Sequence, residues 1–355
     1  MVRIAVVAIT RHGIDIARRL GQKIPEVEIY AQAKHSDSRE DVRWFSDPST
    51  KIIGDLFNKF DALICIFSLG AVIRLIAPHL KDKKSDPAIL VIDDKGRYVI
   101  SALSGHIGGG NALAKLVATA LNAEPIITTA ADVNETIAVD LLGRELGWVI
   151  DDFQNVTRVS AFMVNEEKVA IYQEAGEHDW WAGPLPRNVS IVNGLDEIGS
   201  PEFRAGLVIS DRIVTDQAIL EKSVVYRPKS LVVGIGLHWD TASNTIESGI
   251  ESVFRENQLS LKCIRNISSI NRGSNAKGLD EYSRAHKIPV EIYSKEELAN
   301  IVVPNPSLTV QKFEGTASVS EASCLLSSKG TLLVPKQKFP PNLTVAVSRI
   351  QFPQR

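Results

Sequence analysis

One feature narrows the fold more than any other. Through roughly the first 130 residues, short β-branched apolar runs take turns with stretches of helical period. Strands are expected at 4–9, 27–30, 63–67, 89–92, 98–103 and 126–129, and helices at 12–20, 51–60, 70–80 and 109–121. Apolar strands separated by helices demand crossover connections and a largely parallel sheet. Asp93-Asp94-Lys95-Gly96, between two strand runs, reads as a hairpin turn.

From about Glu135 the pattern changes. A helix is expected at 137–148, then a polar region around Trp180-Trp181 with strands at 169–172, 189–192 and 207–209. Tyr226-Arg227-Pro228-Lys229-Ser230 reads as a linker, because proline lacks a donor and restricts its neighbour. A second regular unit opens with Leu231-Val232-Val233-Gly234-Ile235-Gly236. Strands follow at 263–267, 290–293, 332–334 and 345–348, and helices at 243–256, 276–286, 295–300 and 319–327. The class is therefore α/β in three parts: an N-terminal, mostly parallel α/β domain (1–135), an irregular α/β middle module (136–228) and a separate C-terminal α/β domain (229–355). A chain of 355 residues suits two or three domains.

Net charge near zero (−2) argues against nucleic acid or a membrane surface as partner. No apolar run approaches the ~18–20 residues of a membrane helix, and the first apolar run lacks the form of a signal peptide, so a cytoplasmic protein is expected. Three cysteines, Cys65, Cys263 and Cys324, are too scattered for a disulfide framework. Neither they nor the seven histidines show metal-ligand spacing.

Three strand-to-helix turns carry candidate chemistry. Ser104-Gly105-His106-Ile107-Gly108-Gly109-Gly110-Asn111 follows a strand and opens a helix. Its glycines permit close backbone approach and its amides attract anions, yet a tight turn with an incidental histidine fits the pattern equally well. It lacks Gly-Lys-Ser/Thr and dinucleotide spacing. In the turn at Phe67-Ser68-Leu69-Gly70, Arg74 offers a planar fork for a carboxylate, although a solvated helix arginine is the commoner case. Pro125-Ile126-Ile127-Thr128-Thr129-Ala130-Ala131-Asp132 is expected at the same sheet edge as the Arg74 turn, with Thr129 and Asp132 as ordinary helix caps or site residues. Lys81–Lys84 reads as a solvated run.

Taken together these stretches resemble the cobalamin biosynthesis protein G family, the cobalt-precorrin-5A hydrolases. The likeness runs from Gly70-Ala71-Val72-Ile73-Arg74 through Pro78-His79-Leu80-Lys81 and Asp86-Pro87-Ala88 to Ser104-Gly105-His106-Ile107-Gly108-Gly109, and closes on Thr128-Thr129-Ala130-Ala131-Asp132. The C-terminal domain is similar through Val233-Gly234-Ile235-Gly236, Ser318-Val319-Ser320-Glu321-Ala322 and Leu332-Leu333-Val334-Pro335-Lys336. It departs where the family carries a cysteine and a basic pair, here Leu237-His238-Trp239, and where a charged series is replaced by Asn271, Gly273 and Ala276.

The resemblance implies water opening the δ-lactone of a ring-contracted cobalt macrocycle, with acetaldehyde released and cobalt-precorrin-5B formed. It implies no cofactor and no metal site of the chain's own, since cobalt arrives in the substrate. Partners would be that cobalt corrinoid, other enzymes of the same pathway and a second copy of the chain. Within it we assign His106 as general base, with Ser104 as a lower-ranked nucleophile and Asp132 as an alternative base. The field at the helix start is expected to disfavour imidazolium, and amides around 108–110 are expected to face the oxyanion. Substrate anchors are expected at Gly70, Arg74, Gly105, Gly108, Gly109, Asn111 and Thr129, with Gly234 and Gly236 in the C-terminal domain. Two other readings are a non-catalytic corrinoid carrier or scaffold, and a nucleotide-binding α/β protein.

Overall fold

Parallel strands covered on both faces need unbroken apolar runs, and the first sheet is built from them. The computed structural model describes residues 2–82, 85–106, 108–271 and 276–353. Ile107, Lys83, Lys84 and Gly273, named above, lie outside these. The chain divides into two compact units, Met1–Leu141 and Leu142–Arg355. Among the described residues they hold one and two sheets respectively.

In the first unit the chain runs β1 (Ile4–Ala8), α1 (Arg11–Lys23), β2 (Val27–Gln32), β3 (Arg43–Phe45), α2 (Ser49–Lys59), β4 (Ala62–Ile66) and α3 (Leu69–Ile76). It continues with β5 (Ala88–Ile92), β6 (Tyr98–Leu103), α4 (Gly110–Leu121), β7 (Glu124–Ile126) and α5 (Ala130–Val133). The sheet order is β3-β2-β1-β4-β5-β6-β7. β1, β4 and β5 are buried at every position, and apolar clusters cover both faces. The short edge strand β3 was not expected from the sequence.

One pairing decides where the site lies. β4 and β5 are parallel, but β5 and β6 are antiparallel, joined by the Asp93–Gly96 hairpin. Asp93 accepts from the amides of Lys95, Arg97 and Tyr98, and Gly96 turns with φ +65°. β7 then runs parallel to β6. The carboxyl ends of β6 and β7 therefore lie at the edge where β4 and β5 begin.

The second unit contains β8 (Val149–Ile150), α6 (Val156–Val164), β9 (Val169–Gln173), β10 (Val189–Val192), β11 (Ala205–Ile209), α7 (Gln217–Lys222) and β12 (Ser223–Arg227), in sheet order β10-β9-β11-β12-β8. The expected helix at 137–148 does not form. Ile137 and Val139 are buried, Leu141 donates to Ala138 O in a turn, and Gly143 and Gly147 turn with φ +70° and +79°. A Cβ on Gly143 would fall 2.0 Å from Trp148, so the ring packs against bare backbone.

The rest forms β13 (Leu231–Leu237), α8 (Ser243–Glu256), β14 (Ile264–Ile270), α9 (Lys277–His286), β15 (Val290–Tyr293), α10 (Lys295–Ala299), α11 (Leu308–Glu314), α12 (Val319–Ser328), β16 (Thr331–Phe339) and β17 (Leu343–Arg349). This sheet is ordered β15-β14-β13-β17-β16. The 226–230 connection is no solvated linker. Tyr226 and Arg227 end a buried strand, and buried Ser230 donates to Asp211. Fully buried Asp211 also accepts two bonds from Arg349, at 2.7 and 2.5 Å, which ties the two sheets of this unit together. No helix among the described residues is long and apolar enough to cross a membrane.

Candidate functional site

The loop after β6 is shaped by its own side chains. Ser104 takes the left-handed conformation, φ 53°, and its hydroxyl donates to the Asp86 carbonyl at 2.9 Å. A Cβ on Gly105 would stand 2.5 Å from Asn111 Oδ1, and one on Gly108 would stand 2.5 Å from Ser104 Cβ. These glycines are required by the loop's packing. Two of the amides expected to face an oxyanion are already used: Gly109 donates to His106 O (2.9 Å) and Gly110 to Ser104 O (3.1 Å), and the next amide, Asn111, donates to Gly105 O (2.8 Å). The expected oxyanion role for Gly109 and Gly110 is therefore corrected.

Buried Asn111 organises what lies above. Its Nδ2 donates to Thr129 Oγ1 (2.9 Å) and Asp132 Oδ2 (2.8 Å), while Oδ1 accepts from Ser101 (2.7 Å). Thr129 stands at the N-cap of α5 but makes no cap bond with its side chain. It serves the cluster instead.

His106 sits between two carboxylates. Nε2 is 2.9 Å from Asp132 Oδ2, and Nδ1 is 3.3 Å from Asp140 Oδ1. All three side chains are largely covered, at 15%, 23% and 18% exposure. A neutral imidazole offers one N–H and one lone pair, so carboxylates on both nitrogens select the doubly protonated ring. The hydrogen bond to Asp140 is the largest influence and raises the His106 pKa; burial opposes it, and the charge of Asp140 and the bond to Asp132 add to the rise. Asp132 also accepts from Asn111 and pairs with Lys115, 3.4 Å away. Burial alone would raise the Asp132 carboxyl, but bonds from His106 and Asn111 hold it below the usual range. The expectation that the helix start keeps His106 neutral is overturned: two carboxylates outweigh a helix end.

Gly70 and Arg74 do not join this cluster. Their turn follows β4, at the opposite edge of the sheet, and five-residue β4 separates the edges by ~16 Å. The expectation that the turns around Arg74 and Asp132 share an edge is thus corrected. Arg74 is exposed and folds back onto its own helix, donating to Gly70 O at 3.0 Å. Ser104 is no better placed as a nucleophile: its bond runs to a carbonyl, and none of the described histidines or carboxylates accepts from it.

Three family models match successive stretches: the cobalamin synthesis G N-terminal region over 51–132, the cobalamin biosynthesis central region over 137–228 and the cobalamin synthesis G C-terminus over 231–348. A cobalt-precorrin-5A hydrolase of Priestia megaterium is 42% identical over 98% of this chain and 95% of its own length. One from Salmonella typhimurium is 30% identical over 93% of each chain. The chain belongs to the cobalamin biosynthesis protein G family. Among solved structures, a putative cobalamin biosynthesis protein G homolog from Sulfolobus solfataricus is 22% identical, covers 98% of this chain and 97% of its own, and superposes with a TM-score of 0.38.

In this member of the cobalamin biosynthesis protein G family, sequence reasoning missed two parts of the site. Asp140 fell inside the supposed helix at 137–148. The cations at the His106 edge were also missed. A cavity of about 400 Å³ opens there, lined by Gly108, Asp86, Asn58, Lys81 and Arg3 among others. Lys81 donates to Asn58 (3.2 Å), and Arg3 is held by Asp61 (3.1 Å). The hairpin at 93–96 was the available signal, since it reverses β6 and sends its loop toward the start of β5. In the C-terminal domain, Gly234 is a packing glycine, because a Cβ there would lie 1.8 Å from Ser320 O. Gly236 lines a separate cavity.

Proposed function

We propose that this chain is a cobalt-precorrin-5A hydrolase of the anaerobic route to cobalamin. It adds water to the substrate's δ-lactone, and the methyl-bearing bridging carbon leaves as acetaldehyde to give cobalt-precorrin-5B. Support comes from family membership and from relatives that carry this name. The observation that carries the chemical reading is His106 held between Asp132 and Asp140 on a glycine-built loop. Cobalt enters with the substrate. Supported by one sheet in each, the division into domains 1–135, 136–228 and 229–355 is part of this proposal.

His106 is the general base. Asp132 fixes the ring through Nε2–H, and the longer Nδ1 contact is the one that opens to a water. As that water adds to the lactone carbonyl, Nδ1 takes its proton and the ring becomes imidazolium, the form both carboxylates already favour. The site is thus complementary to the charge that develops during attack. At low pH the ring is already protonated, so the rate rises with pH through its raised pKa. Lys81 and Lys115 are the cations at this edge that meet substrate carboxylates. Purified protein incubated with cobalt-precorrin-5A releases acetaldehyde. Tight binding with none released would leave the carrier reading.

A further inference from the structure

The cavity at the His106 edge has walls of one kind and a single cation free for a ligand. Arg3 lies just before β1, Asp61 just before β4, and Asp86 and Pro87 just before β5, while Gly108 comes from the loop after β6. The reversal of β6 brings these together around about 400 Å³, a volume in the range of small-molecule pockets. Phe57, Phe60 and Pro87 make its apolar walls.

The charged groups of the lining are Arg3, Asp61, Lys81 and Asp86. Asp61 accepts from the Arg3 amide at 2.8 Å and from its guanidinium at 3.1 and 3.4 Å, so these two answer each other. Asp86 is buried, and both its oxygens face the Lys81 amide, at 3.0 and 3.2 Å. Among the described residues the Lys81 ammonium meets only a neutral group, Asn58 Oδ1, at 3.2 Å. Asn58 is held in that orientation because its Nδ2 donates to Gly54 O at 2.8 Å. An ammonium has three donors, so two of them remain for a ligand. Asp86 also ties this cation to the loop that carries His106. Its side chain holds the Lys81 backbone, and its carbonyl accepts from Ser104 at 2.9 Å. Apolar walls leading to one such ammonium fit a short aliphatic carboxylate.

We propose that this cavity is a specificity subsite: it takes one carboxylate arm of the substrate and discriminates against the corresponding amide. The arm's CH₂ groups lie against Phe57, Phe60 and Pro87, and its carboxylate meets Lys81. Asp86 is a positioning residue that keeps the arm in register with the carbonyl attacked at His106. That the arm belongs to the macrocycle rests on the hydrolase reading; the carboxylate chemistry of the cavity does not. The test begins with the ¹⁵N-labelled full chain, titrated with propionate and then with propionamide at constant ionic strength, reading the amide signals of Lys81 and Gly108. Propionate moves both signals saturably and propionamide leaves them in place. Lys81→Met abolishes the propionate response, and Lys81→Arg, which keeps the charge, retains it. In steady-state kinetics Lys81→Met raises the KM for cobalt-precorrin-5A about tenfold, the cost of one charge-assisted contact, and changes kcat far less than His106→Ala does. Lys81 is exposed, so its variants keep the parent melting temperature and separate lost recognition from lost folding. An equal response to acid and amide, no propionate response in the parent, or a response that survives Lys81→Met overturns the proposal. If the parent releases no acetaldehyde but the propionate response depends on Lys81, the hydrolase reading falls and the carboxylate site stands. If acetaldehyde is released and neither KM nor the propionate response depends on Lys81, this inference alone falls.

Discussion

The two edges of the N-terminal sheet carry turns that look alike in sequence. After β4, the Ser68–Arg74 turn has a glycine and a cation. After β6, the Ser104–Asn111 loop has glycines and a histidine. The structure treats them differently. At the β4 end, Arg74 bonds the Gly70 carbonyl of its own helix. At the β6 end, Asn111, Thr129, Asp132, Asp140 and Lys115 converge on or around His106. Ligands of open α/β sheets bind beyond the carboxyl ends of strands, but that rule names an edge only once each strand's direction is known. A four-residue hairpin moved the candidate chemistry to the side where the parallel strands begin.

The largest expected effect separates the two edges outright. His106→Ala slows lactone opening by roughly 10²–10⁴-fold in single-turnover kinetics, the usual range for loss of a general base. Substrate affinity, measured by equilibrium titration, changes little. A similar rate loss from Arg74→Ala would erase the contrast.

A middle-sized effect sharpens the assignment at the β6 end. Asp140 is the main cause of the raised His106 pKa, so Asp140→Asn moves the rising limb of the pH–rate profile to lower pH. The sign for stability follows from the same shift. His106 is protonated more readily folded than unfolded, so its contribution is complete below about pH 6.5 and is lost as pH rises through the raised value. The variant weakens that dependence, since Asp132 still favours the protonated ring. A limb that stays in place would detach Asp140 from the histidine's titration.

The smallest effect is expected at the other edge. Arg74→Lys leaves the substrate Kd within about twofold, since no bidentate contact is broken. A tenfold weakening would return a carboxylate clamp to this edge.

Much of the fold was legible because burial writes itself into sequence. β6, β10, β15 and α8 match the expected bounds residue for residue. The helix expected at 137–148 failed because two left-handed glycines, Gly143 and Gly147, interrupt it. That error hid Asp140. His106, Asn111, Thr129 and Asp132 were each legible as candidates, but not as one cluster. Their convergence depends on Asn111 reaching both Thr129 and Asp132, a contact across 18 and 21 residues that no local pattern encodes. The protonation state was misread for a related reason: the helix-start field is visible in sequence, whereas two distant carboxylates are not.

The measurement that bears most directly on the account is single-turnover lactone opening by His106→Gln, with the substrate Kd determined on the same preparation. Glutamine retains hydrogen-bonding capacity beside Asp132 and Asp140 but cannot take a proton from water. The account predicts parent-like binding with opening slowed by roughly 10²-fold or more. Opening at the parent rate would contradict it and leave His106 as a structural link between two carboxylates.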